Sequence, residues 1–195
     1  MPKLLYQGHG SYRLASNDGR VVYVDPYKGK GYDAPADAIL VTHWHTDHNK
    51  VNRCAKKPDC RIITNEEALA GGTHNNFDLG WMQVRAVEAA NKNHDPKKCV
   101  GYIITLDDAK IYAAGDTSAT EQMRTFAALE LDYALFPCDG LFNMGPAEAA
   151  ECANIVAAKH NIIIHAKPGE SIRKKAEAWN GPDKLVLEPG QEIVL

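Results

Sequence analysis

The sequence contains no apolar run long enough to cross a membrane, and Met1-Pro2-Lys3-Leu4 does not lead into the hydrophobic stretch of a signal peptide. Nor is there a surplus of positive charge. Lys and Arg number 22 against 25 Asp and Glu, a net charge of −3 with the histidines neutral. Non-specific binders of nucleic acid or anionic membranes are more basic than this. No CxxC pair occurs, and the 5 cysteines (Cys54, Cys60, Cys99, Cys138, Cys152) are odd in number. That argues against a disulfide framework or a zinc knuckle and for free thiols in a reducing compartment. Repeats, low-complexity tracts and linker-like shifts in composition are also missing. The expectation is one cytoplasmic domain over residues 1–195, long enough to bury a core. With 45% apolar and 24% charged residues the composition is that of an ordinary globular protein, so function must be read from pattern.

What is present begins β-rich. Strands are expected at 4–7, 11–15 and 21–25, the last two joined at Asn17-Asp18-Gly19, where Asn and Gly tolerate positive φ. Residues 38–42 form a continuous apolar run that reads as a buried strand and ends on a histidine cluster. Further strands are expected at 81–88, 100–106, 110–114, 133–137, 161–164 and 191–195. Helices are expected at 65–70 with Asn65 as N-cap, at 120–129 with Thr120 as cap, at 146–159 with Pro146 in the first turn, and at 171–179. Strands followed by mixed α and β suit two sheets with helices on their outer faces.

The central signal is Thr42-His43-Trp44-His45-Thr46-Asp47-His48. It sets four candidate ligands, imidazole nitrogens and a carboxylate, directly after a buried strand. Such donors suit zinc, iron, manganese and related divalent ions. His43 and His45 are two residues apart, so extended backbone points both to one side. Asp47 and His48 follow as the chain turns and approach from another direction. One tetrahedral ion rarely takes four ligands packed this closely, and two ions sharing the segment fit better. A surface loop that happens to be His-rich is the bland alternative.

His-x-His-x-Asp-His resembles the signature of the metallo-β-lactamase superfamily. Ala114-Gly115-Asp116-Thr117 resembles its strand-end aspartate motif, with His94 before it and His165 after it in the same order. Gly8-His9-Gly10-Ser11, Val24-Asp25-Pro26 and Asn143-Met144-Gly145-Pro146-Ala147-Glu148-Ala149 look like a bacterial branch of compact metal-dependent hydrolases that includes the ascorbate-6-phosphate lactonase-like group. The resemblance implies an α/β fold, a four-layer αβ/βα sandwich. It implies one metal on His43, His45 and His94, another on Asp47, His48 and His165, and Asp116 bridging them with a shared water or hydroxide. The two ions are expected to be zinc, with manganese, nickel or iron as alternatives. His74, in a polar stretch, rivals His94, which is preferred because its loop directly follows a strand. His160 reads as a surface histidine.

Two such ions activate water and neutralise a developing oxyanion. Asp47 and Asp116 are the expected catalytic carboxylates, with Asp47 as the candidate proton carrier. Asp25 resembles a residue that steadies the histidine loop, or else caps its strand before Pro26. His9 lines the pocket or forms a turn; Trp44 faces a pocket wall or the core. Lys167 and Lys92 are candidates to attract an anionic substrate, and Phe142, Asn143 and Met144 to shape the entrance. His45, where the flavodoxin-linked oxygen reductases have Glu, and the 48 residues between Asp116 and His165 set aside those oxygen reductases and the nuclease branch.

The function expected is hydrolysis of a small, anionic ester, lactone or phosphodiester. A mononuclear iron persulfide dioxygenase and a non-catalytic metal-binding or sensory domain are the alternatives. The expected partner is a small-molecule substrate, not nucleic acid or membrane, with a homo-oligomer left open.

Overall fold

The computed structural model describes residues 1–167 and 169–195. In chain order the elements are β1 (Lys3–Gly8), β2 (Ser11–Ala15), β3 (Val21–Val24), β4 (Ala36–Leu40), β5 (Lys56–Ile63), α1 (Asn65–Ala68), β6 (Asn76–Asp78), β7 (Met82–Glu88), β8 (Val100–Leu106), β9 (Ala109–Ala113), β10 (Tyr133–Pro137), α2 (Pro146–Val156), β11 (His160–Ile164), α3 (Ile172–Ala178), β12 (Lys184–Leu185) and β13 (Glu192–Val194). They form a six-stranded sheet in the order β13-β1-β2-β3-β4-β5 and a seven-stranded sheet in the order β12-β11-β10-β9-β8-β7-β6. One core draws on both, from Leu4, Leu14 and Leu40 on the first to Val84, Tyr102 and Leu135 on the second. The chain is thus a four-layer αβ/βα sandwich. Its outer layers are unequal. Helices α2 and α3 pack on β10 and β11. A smaller cluster of Tyr23, Tyr32, Ile39, Val41 and Cys54, from loop segments as well as strands, covers the first sheet's β3–β4 region. Among the described residues no helix is long and apolar enough to cross a membrane.

Topology gathers the site. β3 and β4 run parallel, and β1 joins them in direction through the antiparallel β2. β9, β10 and β11 run parallel, and β7 joins them through the antiparallel β8. Seven strands therefore deliver their C-terminal ends to one edge, where α/β sheets present their ligand sites. His9 follows β1, Asp25 follows β3, the histidine run follows β4, His94 follows β7, Asp116 follows β9, Asp139 follows β10 and His165 follows β11.

Several elements differ from expectation. β5 reads as Lys-Lys-Pro-Asp-Cys-Arg-Ile-Ile, without alternation; it is an edge strand, where a proline is tolerated. β6 and β12 are too short to show a period. Residues Glu121–Leu129 form a 3-10 helix, not an α-helix. Its buried Met123 and Phe126 and the packed Leu129 recur every three residues, the period of that helix. Thr64, not Asn65, holds the N-cap position of α1, and Asn65 donates its side-chain amide to the Lys98 carbonyl instead. Thr120 sits at an N-cap without a side-chain cap bond. α2 stops at Val156 because Ala157 turns left-handed, φ 55°, before β11 begins.

Candidate metal centre

Side-chain donors gather in three groups: His43 with His45 and His94; His43 with His48 and Asp116; and His9 with Asp47, His48 and His165. All seven expected ligand residues fall within them, and His9 joins them. His74 belongs to none among the described residues. Asp116, buried, lies at the centre. Its Oδ2 is 3.3 Å from His94 Nε2, 3.3 Å from His165 Nε2 and 3.9 Å from His43 Nε2, and its Oδ1 is 3.4 Å from His48 Nε2.

The four imidazoles turn Nε2 to Asp116; Nδ1 of His43, His48 and His94 is hydrogen-bonded from behind, and that of His165 lies against Asp139. His48 Nδ1 donates to Asp25 Oδ2 at 2.9 Å. Thr42 donates its N–H to Asp25 Oδ1 at 2.8 Å and its hydroxyl to Oδ2 at 2.7 Å. That hydroxyl then accepts from His43 Nδ1 at 3.0 Å. On the opposite wall His94 Nδ1 donates to Asn91 Oδ1 at 2.9 Å, Asn91 Nδ2 to Asn143 Oδ1 at 3.1 Å, and Asn143 Nδ2 to Asp139 Oδ2 at 2.8 Å. Asp139 Oδ2 lies 3.1 Å from His165 Nδ1. Each chain ends on a carboxylate, which only accepts, so the donor directions are determined. A histidine whose Nδ1–H is committed presents the Nε2 lone pair, the form that ligates metal.

Burial and charge act differently along the cluster. Burial drives the His43 pKa down to about 2, so its ring stays neutral. Burial opposes ionisation of Asp116, but the facing His48 and His165 hold it well below the usual carboxylate range. Burial also opposes a charge on His165, yet Asp116 and Asp139 lift its pKa to about 10. His43 Nε2 and His94 Nε2 are buried without a hydrogen-bond partner. Orphaned polar atoms of this kind are costly unless something coordinates them. The imidazole nitrogens and central carboxylate are a donor set that fits a divalent transition ion.

The backbone is shaped for this convergence. His9 (φ 57°), Asp25 (φ 46°) and His165 (φ 59°) all adopt left-handed conformations, a strain that clusters at functional sites. Gly10 leaves room for His48, because a Cβ there would lie 2.8 Å from His48 Cε1. At Gly115 (φ 66°) a Cβ would meet the Val100 carbonyl at 2.9 Å and Thr42 Cβ at 3.1 Å.

Other expected residues fall variously. Asp25 serves both suggested purposes, closing the strand end and holding His48. His9 lies with its Nε2 3.1 Å from Asp47 Oδ2 and its ring 3.7 Å from that of His165. Trp44 is exposed at a cavity wall, Lys92 is exposed, Lys167 is half-buried and His160 is exposed. Met144 is buried in the core and does not shape an entrance; Phe142 lines the cleft. Asp139 and the bridging role of Asn91 escaped sequence reasoning. Asp139 carried the signal that marked Asp116, a carboxylate just past a buried strand.

Comparison with known proteins agrees with this geometry. The family model described as beta-lactamase superfamily domain matches residues 3–165. A UPF0173 metal-dependent hydrolase of Myxococcus xanthus is 30% identical, across 98% of this chain and 80% of its own length. One of Thermus thermophilus is 28% identical across 100% of both chains. A crystal structure of a metal-dependent hydrolase from Parabacteroides distasonis superposes with a TM-score of 0.79 and 27% identity, over 96% of this chain and 93% of that one. The chain belongs to the metallo-β-lactamase superfamily and, within it, to the UPF0173 group of metal-dependent hydrolases.

Proposed function

We propose that this metal-dependent hydrolase works with two metal ions on a small ester, lactone or phosphodiester. The observation that carries the reading is the central position of Asp116 among the four Nε2 atoms of His43, His48, His94 and His165. His43, His45 and His94 would hold one ion, Asp47, His48 and His165 the other, and Asp116 would bridge them. Ions so held, with zinc as the first expectation, would lower the pKa of a bound water, polarise the scissile bond and offset the developing oxyanion. That two groups of donors flank Asp116 favours two ions over the single iron of a dioxygenase.

The chain's own residues divide the remaining work. Asp25 and Asp139 orient the imidazoles from behind and keep their lone pairs forward. Asp47 is the solvent-reaching carboxylate of the cluster, its side chain 35% exposed. It is therefore placed to accept a proton from the attacking water and pass it to the leaving group. His9, at 3.1 Å, fixes one Asp47 oxygen while the other stays available. Alanine at His45 or Asp116 should abolish hydrolysis of bis-p-nitrophenyl phosphate and lactones with circular dichroism unchanged. Full activity in either variant would overturn the reading.

A further inference from the structure

Five large apolar side chains are exposed among the described residues: Met1, Trp44, Leu141, Phe142 and Val194. Met1 and Val194 lie at the chain ends. The other three belong to the loops of the metal centre, since Trp44 lies between His43 and His45, and Leu141 and Phe142 follow Asp139. Single exposed apolar residues are ordinary, but their concentration at a functional cleft marks an interaction site.

The cleft itself explains why. A cavity of about 200 Å³ touches Asp47, Asp116 and His165 and is walled by Phe142. A second, of about 650 Å³, shares His45, Asn93 and His94 with it and continues to Trp44 and Leu69. The two cavities thus meet at ligand residues of the candidate metal centre, with Trp44 on the wall of the larger and Phe142 on the wall of the smaller. The smaller cavity has no Lys or Arg in its wall, and in the larger Lys97 and Lys98 are offset by Glu66 and Asp95. Both aromatics stand on pinned backbone. Asn49 Nδ2 donates to the Trp44 carbonyl at 3.1 Å. The Phe142 N–H donates to Asp139 Oδ1 at 2.7 Å, and its carbonyl accepts from Asn93 Nδ2 at 3.0 Å. Walls held this way need little ordering when a ligand arrives.

Building on the hydrolase reading above, we propose that the substrate is an ester or lactone carrying an apolar chain or ring, gripped between Trp44 and Phe142. This narrows the expected anionic substrate: the ions, not protein cations, would hold its polar head, and the groove would hold an apolar tail.

Octanoate and acetate, product-like carboxylates with and without a tail, test this on the metal-loaded protein. Of the 3 tryptophans, Trp179 is buried and Trp81 half-buried, so Trp44 is the one most open to a ligand. Octanoate should shift the emission to the blue and saturate; acetate should not. Trp44→Phe should remove the shift, and Phe142→Ala should weaken octanoate binding. Across lactones of rising chain length kcat/KM should climb about 2–4-fold per methylene, the upper value matching ~0.8 kcal/mol per buried CH₂. That slope should collapse in the Trp44→Ser/Phe142→Ser variant. A flat profile with intact turnover of the shortest lactone would overturn the proposal while sparing the hydrolase reading. Octanoate binding without hydrolysis of any ester would overturn the hydrolase reading and the substrate assignment with it, while keeping the apolar binding site. Sedimentation showing a dimer dispersed by Leu141→Ser and Phe142→Ser would make the patch a self-association surface and also overturn the proposal.

Discussion

Replacing Asp25 by Asn changes one atom of a buried network and should cost metal affinity. Asp25 is 2% exposed and accepts three hydrogen bonds, two from Thr42 and one from His48 Nδ1. Its left-handed φ of 46° is one that Asn tolerates well, so the backbone should stay in place. The Asn oxygen can keep the Thr42 N–H, but its NH₂ then faces His48 Nδ1. Two donors cannot pair, so the His48 proton moves to Nε2, the nitrogen that faces Asp116. Loss of such an outer partner typically lowers metal affinity 10–100-fold, or about 1.4–2.7 kcal/mol. The deficit should fall on the ion assigned to Asp47, His48 and His165. Zinc competition against a chromophoric chelator measures it without reference to turnover. A folded D25N protein that binds both equivalents within twofold of the parent would refute the tautomer argument.

The opposite wall makes a parallel prediction. Asn143→Leu should leave Asn91 Nδ2 without its acceptor and take one donor from Asp139 Oδ2, lowering stability by about 1–3 kcal/mol in urea titration and weakening zinc binding at His94 and His165. Gly10→Ala should push on His48 and reduce zinc affinity with little change in far-ultraviolet circular dichroism, because the new Cβ would lie 2.8 Å from His48 Cε1. The thiols supply a pH test. Burial raises Cys54, Cys99, Cys138 and Cys152 to about 12 and lifts Cys60 less far. A raised pKa leaves little thiolate at pH 8, so Ellman's reagent should label the native protein slowly, Cys60 first, and all five thiols only after unfolding. Rapid native release of five equivalents would contradict the burial described.

The legible parts of the fold were those with strong local signals. β2 and β10 match the expected spans, because each is bounded by turn residues or runs unbroken through the core. β5 was not legible, because an edge strand needs no alternating pattern and this one carries Pro58. The histidine run announced itself by spacing. Asp139 and Asn91 did not, and Asn143 was expected at the entrance and not between them, since the three lie in two loops that meet only through the pairing of β8 with β7 and β9 and of β9 with β10. Sequence proximity reveals ligands that share a loop. It does not reveal partners that hold those ligands from a neighbouring strand end.

The central claim is that Asp116 bridges two metal ions in a hydrolytic site. Plasma mass spectrometry on protein purified without chelator or affinity metal, paired with lactone and phosphodiester assays on the same sample, tests it most directly. The account predicts close to two equivalents of zinc, manganese or nickel per chain, falling together with hydrolysis in Asp116→Ala. A single equivalent of iron, with oxygen consumed on a thiol persulfide and no ester cleaved, would contradict it.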